Sequence, residues 1–117
     1  MKKIYYLGTC DTCARIMKEL KISKQNFRMQ DIKTEKITPE QLEEMKAMSG
    51  TYESLFSRVA LKFRAWGLNK KELTEKDYRK YILEEYTFLK RPVIIIGKKI
   101  FVGNAPSTID AAKEELK

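Results

Sequence analysis

Two cysteines separated by two residues, Cys10 and Cys13, constrain this chain more than any other feature. They follow a short apolar run, Ile4-Tyr5-Tyr6-Leu7, that ends in a Gly8-Thr9 turn, and they open a helical pattern. That order puts Cys10 at the tip of a strand and at the mouth of a helix. Backbone N–H groups there lack intrahelical partners, and the helix carries about half a positive charge at that end. A thiolate so placed is stabilised, and its pKa is expected to fall from about 8.5 into the range of roughly 3.5–7.5. Cys13, three residues on, returns to the same side of the helix. It is expected to be less exposed and able to reach a bond formed at Cys10. The pair reads as nucleophile and resolver.

Three plainer readings compete. Two cysteines with this spacing are half of a zinc site, but such sites usually take four ligands from Cys and His, and the chain has no third Cys and no His. A static disulfide would close a very small loop and stabilise little. Two unrelated buried thiols are the third alternative. The strand before the pair and the helix after it are the context that favours redox chemistry.

A chain of 117 residues has room for one domain with a real core. No apolar run approaches the roughly 20 residues that span a membrane. Met1-Lys2-Lys3-Ile4 passes straight into a strand-like run, with no apolar leader and cleavage site. A cytoplasmic location is expected, where a disulfide is more often transient than structural. The formal net charge of +8 favours anionic partners: an oxyanion, an acidic protein surface or nucleic acid. The cations are interspersed with acids and form no clear groove-entering element, so direct nucleic-acid binding is not expected.

Along the chain, Lys3 to Leu7 reads as a strand. Asp11 to Leu20 reads as a helix with Ala14, Ile16, Met17 and Leu20 inward. Phe27 to Ile32 reads as a second strand, parallel to the first by a right-handed crossover. Thr38-Pro39-Glu40-Gln41 is a capping box with Pro at the first helical position. It opens a helix with Leu42, Met45 and Met48 on its apolar side, ended by Gly50. Tyr52 to Phe56 reads as a short helix. Thr74 caps another helix, with Tyr78, Tyr81, Ile82 and Tyr86 inward. Val93-Ile94-Ile95-Ile96 is a run of β-branched residues, expected to be a strand buried on both faces. Gly97-Lys98-Lys99 turns it into an antiparallel partner, Ile100-Phe101-Val102. A last helix, capped by Ser107, carries Ile109, Ala112 and Leu116 inward. The order β-α-β, helical block, β-β-α is α/β, a thioredoxin-like layout with a mixed four-stranded sheet. It predicts a single domain over 1–117 with a helical insertion at about 38–89.

The chain resembles the arsenate reductase (ArsC)/Spx family, a branch of the thioredoxin fold, over essentially its whole length. The resemblance rests on Cys10-Asp11-Thr12-Cys13, on Leu55-Phe56-Ser57-Arg58 running to Phe63-Arg64-Ala65-Trp66-Gly67-Leu68, on Lys90-Arg91-Pro92-Val93-Ile94, and on Val102-Gly103-Asn104. It implies that Cys10 is the nucleophile and that Cys13 takes the place of the second cysteine of Spx-like members. It also implies that arginines near the sulfur bind oxyanions and favour the thiolate. These fall on Arg91, just before a cis proline at Pro92, and close to Arg58, with Arg64 a further candidate. A guanidinium suits this task because it is permanently charged and offers a planar fork to an oxyanion. Thr9, Thr12 and Asn104 are the remaining candidates for substrate contact. The chain departs from glutaredoxin-linked arsenate reductases where they carry another arginine. Here that stretch is Gly103-Asn104-Ala105-Pro106.

The resemblance implies two kinds of function. One is a thiol-dependent oxidoreductase, arsenate reductase-like, acting on a small oxyanion or a disulfide. It would hold no bound cofactor and would be restored by an external thiol reductant, glutathione with glutaredoxin or thioredoxin. The other is an Spx-like redox-sensing regulator that binds the RNA polymerase alpha subunit, with Gly50 near the surface used for that contact.

Overall fold

The computed structural model describes residues 1–117, which divide into two compact units. The first comprises Met1–Lys36 with Arg91–Lys117, and the second Ile37–Lys90.

The first unit contains β1 (Lys2–Tyr6), α1 (Asp11–Glu19), β2 (Arg28–Asp31), β3 (Val93–Ile96), β4 (Lys99–Val102) and α5 (Pro106–Glu115). The sheet order is β2-β1-β3-β4. β1 pairs parallel to β2, with Tyr6 opposite Asp31, and antiparallel to β3, with Ile4 opposite Ile94. β4 returns antiparallel to β3. The sheet is therefore mixed, as the order of strands and helices predicts. All four residues of β3 are buried, which the unbroken β-branched run foretells. One core joins Ile4, Ile94 and Ile96 of the sheet to Ile16 and Leu20 of the α1 segment and to Ile109 and Ala112 of α5.

Two expectations are corrected here. Ala14 is exposed, and the inward face of α1 is formed by Cys13, Ile16 and Leu20, with Met17 half-buried. Cys13 thus occupies the core position that Ala14 was expected to fill. Ser107 does not cap α5. Pro106 takes the first helical position and Ala105 the cap, with no side-chain hydrogen bond, because the fixed φ of proline already suits a helix start.

The second unit is helical: α2 (Pro39–Ser49), α3 (Leu61–Ala65) and α4 (Glu75–Glu84), with short 3-10 turns at 53–55, 68–70 and 86–88. Tyr86 belongs to the last of these turns and not to α4. Phe56 is fully buried against Tyr78 and Phe88, with ring centroids 4.9 and 5.1 Å away. An isolated antiparallel bridge joins Phe56 to Leu89, flanked by Ser57 N–H to Phe88 O at 2.7 Å and Lys90 N–H to Leu55 O at 2.9 Å. No helix is long and apolar enough to cross a membrane.

The capping box read at Thr38/Gln41 is formed, and Thr74, read as a helix cap, forms a second box with Asp77. The Gln41 N–H donates to Thr38 Oγ1 at 3.1 Å, and the Thr38 N–H donates to Gln41 Oε1 at 3.1 Å. α2 ends at Gly50, whose φ of 101° a side chain would resist. Thr38→Ala removes one arm of the first box. It is expected to cost about 1 kcal/mol and to lower the Tm by about 4 °C, measurable by thermal denaturation.

Candidate active site

The loop between β1 and α1 presents Cys10. Leu7 O accepts the Cys10 N–H at 3.0 Å, which closes the Gly8-Thr9 turn. Cys10 is the N-cap of α1, with extended backbone (φ −94°, ψ 115°), and its own carbonyl accepts the Ala14 N–H at 3.1 Å. Its side chain makes no capping bond. The sulfur is left to face the free N–H groups of the first helical turn, and it is partly exposed.

The electrostatics of the two thiols run in opposite directions. Burial opposes the Cys10 anion, yet its pKa lies below the usual thiol value. The backbone N–H of Cys13, the Cys13 thiol, the backbone N–H of Thr12 and the charge of Arg91 together outweigh that burial. These are the helix-start donors expected from sequence, with a guanidinium behind them. Cys13 is completely buried and its pKa is pushed up to about 11. Desolvation is the main cause, and the hydrogen bond to Cys10 and the charge of Cys10 add to it. A backbone hydrogen bond from Leu7 and the charge of Arg91 act the other way. Both cysteines are free thiols. One thiol is thus biased toward its anion while its neighbour is held protonated and donates to it.

Arg91 is half-buried and joined to the buried Pro92 by a cis peptide bond. Cys10, Cys13, Thr12 and Arg91 therefore form one electrostatic group within the first unit. Thr9 is exposed in the turn and Thr12 half-buried. Asn104 is exposed and lines a cleft of about 110 Å³ with Arg15, Ile16, Glu19, Pro106, Ile109 and Asp110, a lining that includes neither cysteine. Arg58 and Arg64 belong to the second unit. Arg58 is bound within it, 2.6 Å from Glu53 Oε2 and 2.6 Å from the Tyr78 hydroxyl, with its guanidinium over the Tyr78 ring. A guanidinium so engaged meets an anion only with its remaining donors or by releasing Glu53. Arg64 is exposed on α3. No group of three or more His, Cys, Asp or Glu side chains is placed to hold a metal ion.

Sequence reasoning did not single out Leu7. Its carbonyl seats Cys10 and its backbone also bonds the Cys13 sulfur. The only sequence signal was its position as the last apolar residue before the turn.

The model of the ArsC family matches residues 5–112. No curated protein matches the chain. Among solved structures, the protein named YffB is 26% identical over 96% of this chain and 98% of its own, with a TM-score of 0.80. An arsenate reductase (ArsC) related protein from Brucella melitensis is 24% identical over 94% of this chain and 92% of its own, at 0.72. Arsenate reductase from Vibrio cholerae is 12% identical over 94% and 95%, at 0.78, a likeness of fold. The fold is thioredoxin-like, and with its model matched over nearly all of the sequence, the chain belongs to the ArsC family of thiol-dependent oxidoreductases.

Proposed function

We propose that this protein is a cytoplasmic dithiol oxidoreductase in which Cys10 attacks the substrate and Cys13 resolves the adduct. The observation that carries the reading is the opposed ionisation of the two thiols, Cys10 lowered and Cys13 raised, within one helical turn. With a disulfide substrate, the Cys10 thiolate attacks one sulfur, forms a mixed disulfide and releases the other sulfur as a thiolate. Cys13 then gives up its proton and attacks the Cys10 sulfur. The second half of the substrate leaves as a thiolate, and a Cys10–Cys13 disulfide remains. Two electrons have passed from the dithiol to the substrate. With arsenate, the same attack displaces an arsenate oxygen as water. Cys13 attack then leaves the sulfur–arsenic electron pair on arsenic, which departs as arsenic(III).

The resolver is released by the first step itself. Capture of Cys10 removes both its negative charge and its hydrogen-bonding thiolate, two of the influences that hold the Cys13 proton. Cys13 therefore becomes easier to ionise when its attack is needed. Arg91 serves as the cation that steadies the Cys10 anion and an incoming oxyanion. Arg58, Arg64, Pro92, Thr9, Thr12 and Asn104 stand as candidates for substrate contact. An external dithiol or glutathione restores the reduced pair.

The test is steady-state reduction of glutathione disulfide, a mixed disulfide and arsenate, with glutathione–glutaredoxin or thioredoxin as donor. Turnover of any of the three supports the reading. A Cys10–Cys13 disulfide that forms and is reduced without turning over any substrate would overturn it, in favour of a redox switch such as a polymerase-binding regulator. Reduction of disulfides but not of arsenate would match the lack of an arginine at 103–106.

A further inference from the structure

Asp31 ends β2 directly opposite Tyr6 at the end of β1. Its carboxylate lies across the strand ends, against the turn that leads to the cysteines. Oδ2 accepts the Gly8 N–H at 3.2 Å, and Oδ1 accepts the Lys33 N–H at 3.0 Å. The peptide after Asp31 is tied to the same place, since the Ile32 N–H donates to Tyr6 O at 2.9 Å. Gly8 has no Cβ where one would lie 2.5 Å from Asp31 Oδ2, and its backbone is not in the left-handed region. A side chain at this position would displace the carboxylate and would not strain the backbone.

We propose that Asp31 is a positioning residue for Cys10: its carboxylate pins the Gly8 N–H and so fixes the turn that seats Cys10 at the start of α1. The sequence of bonds is short. The pinned Gly8 follows Leu7, and Leu7 O holds the Cys10 N–H at 3.0 Å. With the turn fixed, the Cys10 sulfur stays over the N–H groups of Thr12 and Cys13. With it loose, the sulfur samples orientations in which those donors face water. The role is mechanical, because the charge of Asp31 opposes any anion nearby. This deepens the reading of Cys10 as the nucleophile and rests on it.

Two substitutions break the same contact from opposite sides. Asp31→Ala removes the acceptor. Gly8→Ala keeps it but places a methyl group where Oδ2 sits, so the carboxylate must swing off the N–H. The readout is the rate of Cys10 alkylation by iodoacetamide against pH in the full chain, with circular dichroism confirming the fold. Cys13 and Arg91, which also act on Cys10, are unchanged in both variants. Each variant is expected to move the onset of reactivity upward by about one pH unit, a loss of about tenfold in thiolate on the acid side. The double variant is expected to add nothing, since the contact is already lost. A merely stabilising role would lower the Tm and leave the profile in place, and a purely electrostatic role would move the Asp31→Ala profile downward. Either result overturns the proposal. Cys10 titrating as an ordinary thiol in the unmodified protein would overturn both the functional reading and this proposal. An acidic Cys10 that neither variant moves overturns this proposal alone.

Discussion

Cys10→Ser is expected to lower turnover about 1,000-fold or more, while Cys13→Ser leaves the first chemical step intact and stops the second. The asymmetry follows from the positions of the two sulfurs. Of the two thiols only Cys10 is partly exposed and only Cys10 has its pKa lowered, so Cys10 is the one expected to begin the exchange. Serine at that position has the helix-start donors but not an ionisable thiol, and removal of a nucleophile costs orders of magnitude in rate. Cys13 is completely buried, so it meets the substrate only through the Cys10 sulfur. With Cys13→Ser and glutathione disulfide, mass spectrometry is expected to find one glutathione adduct per chain, on Cys10, that persists until external thiol is added. The unmodified protein passes instead to an internal disulfide. A stable adduct on Cys13 in the Cys10→Ser protein, formed as quickly as that on Cys10, would sink the assignment of roles.

Much of this arrangement was legible in the residues. The C-x-x-C after a strand and before a helix located both thiols, and the three-residue spacing put Cys13 on the buried side. The unbroken Val93–Ile96 run announced a strand covered on both faces, and Thr38 and Thr74 marked their helices because a capping box is a local pattern. Two local expectations were overturned, and two contacts were not legible. Ala14 was expected to face inward because alanine is apolar, but a small side chain gains little from burial, and Cys13 holds that position instead. Ser107 was expected to cap because its type suits the task, although Pro106 one residue earlier starts the helix without a capping bond. Arg58 was read as a candidate for oxyanion contact, and its engagement by Glu53, five residues away, and Tyr78, twenty away, was not visible in the sequence. The Asp31–Gly8 contact spans 23 residues and depends on strand register, which periodicity alone does not reveal.

At pH 7, alkylation is expected to label Cys10 well before Cys13, and the margin can be bounded. A thiol with its pKa near 11 is ionised to about one part in 10⁴ at that pH. Even an unshifted thiol at 9.0 would be ionised to about 1%, so the thiolate ratio favours Cys10 by about 100-fold or more. The more basic thiolate is the better nucleophile, which returns about tenfold. Ionisation alone therefore leaves about tenfold or more, and the complete burial of Cys13 adds to it. The sign of the coupling gives a second readout. A thiol with raised pKa stays protonated until the pH climbs to that value, so the ultraviolet thiolate signal of Cys13 is expected only as the pH approaches 11. In Cys10→Ser, the charge and the sulfur partner that raise the Cys13 pKa are gone while burial remains. The onset is expected to move down, yet to stay above that of an ordinary thiol. An onset unchanged by Cys10→Ser would mean that the two sulfurs do not sense each other. In that event the first step could not prepare the second, and the division into nucleophile and resolver would lose its physical basis.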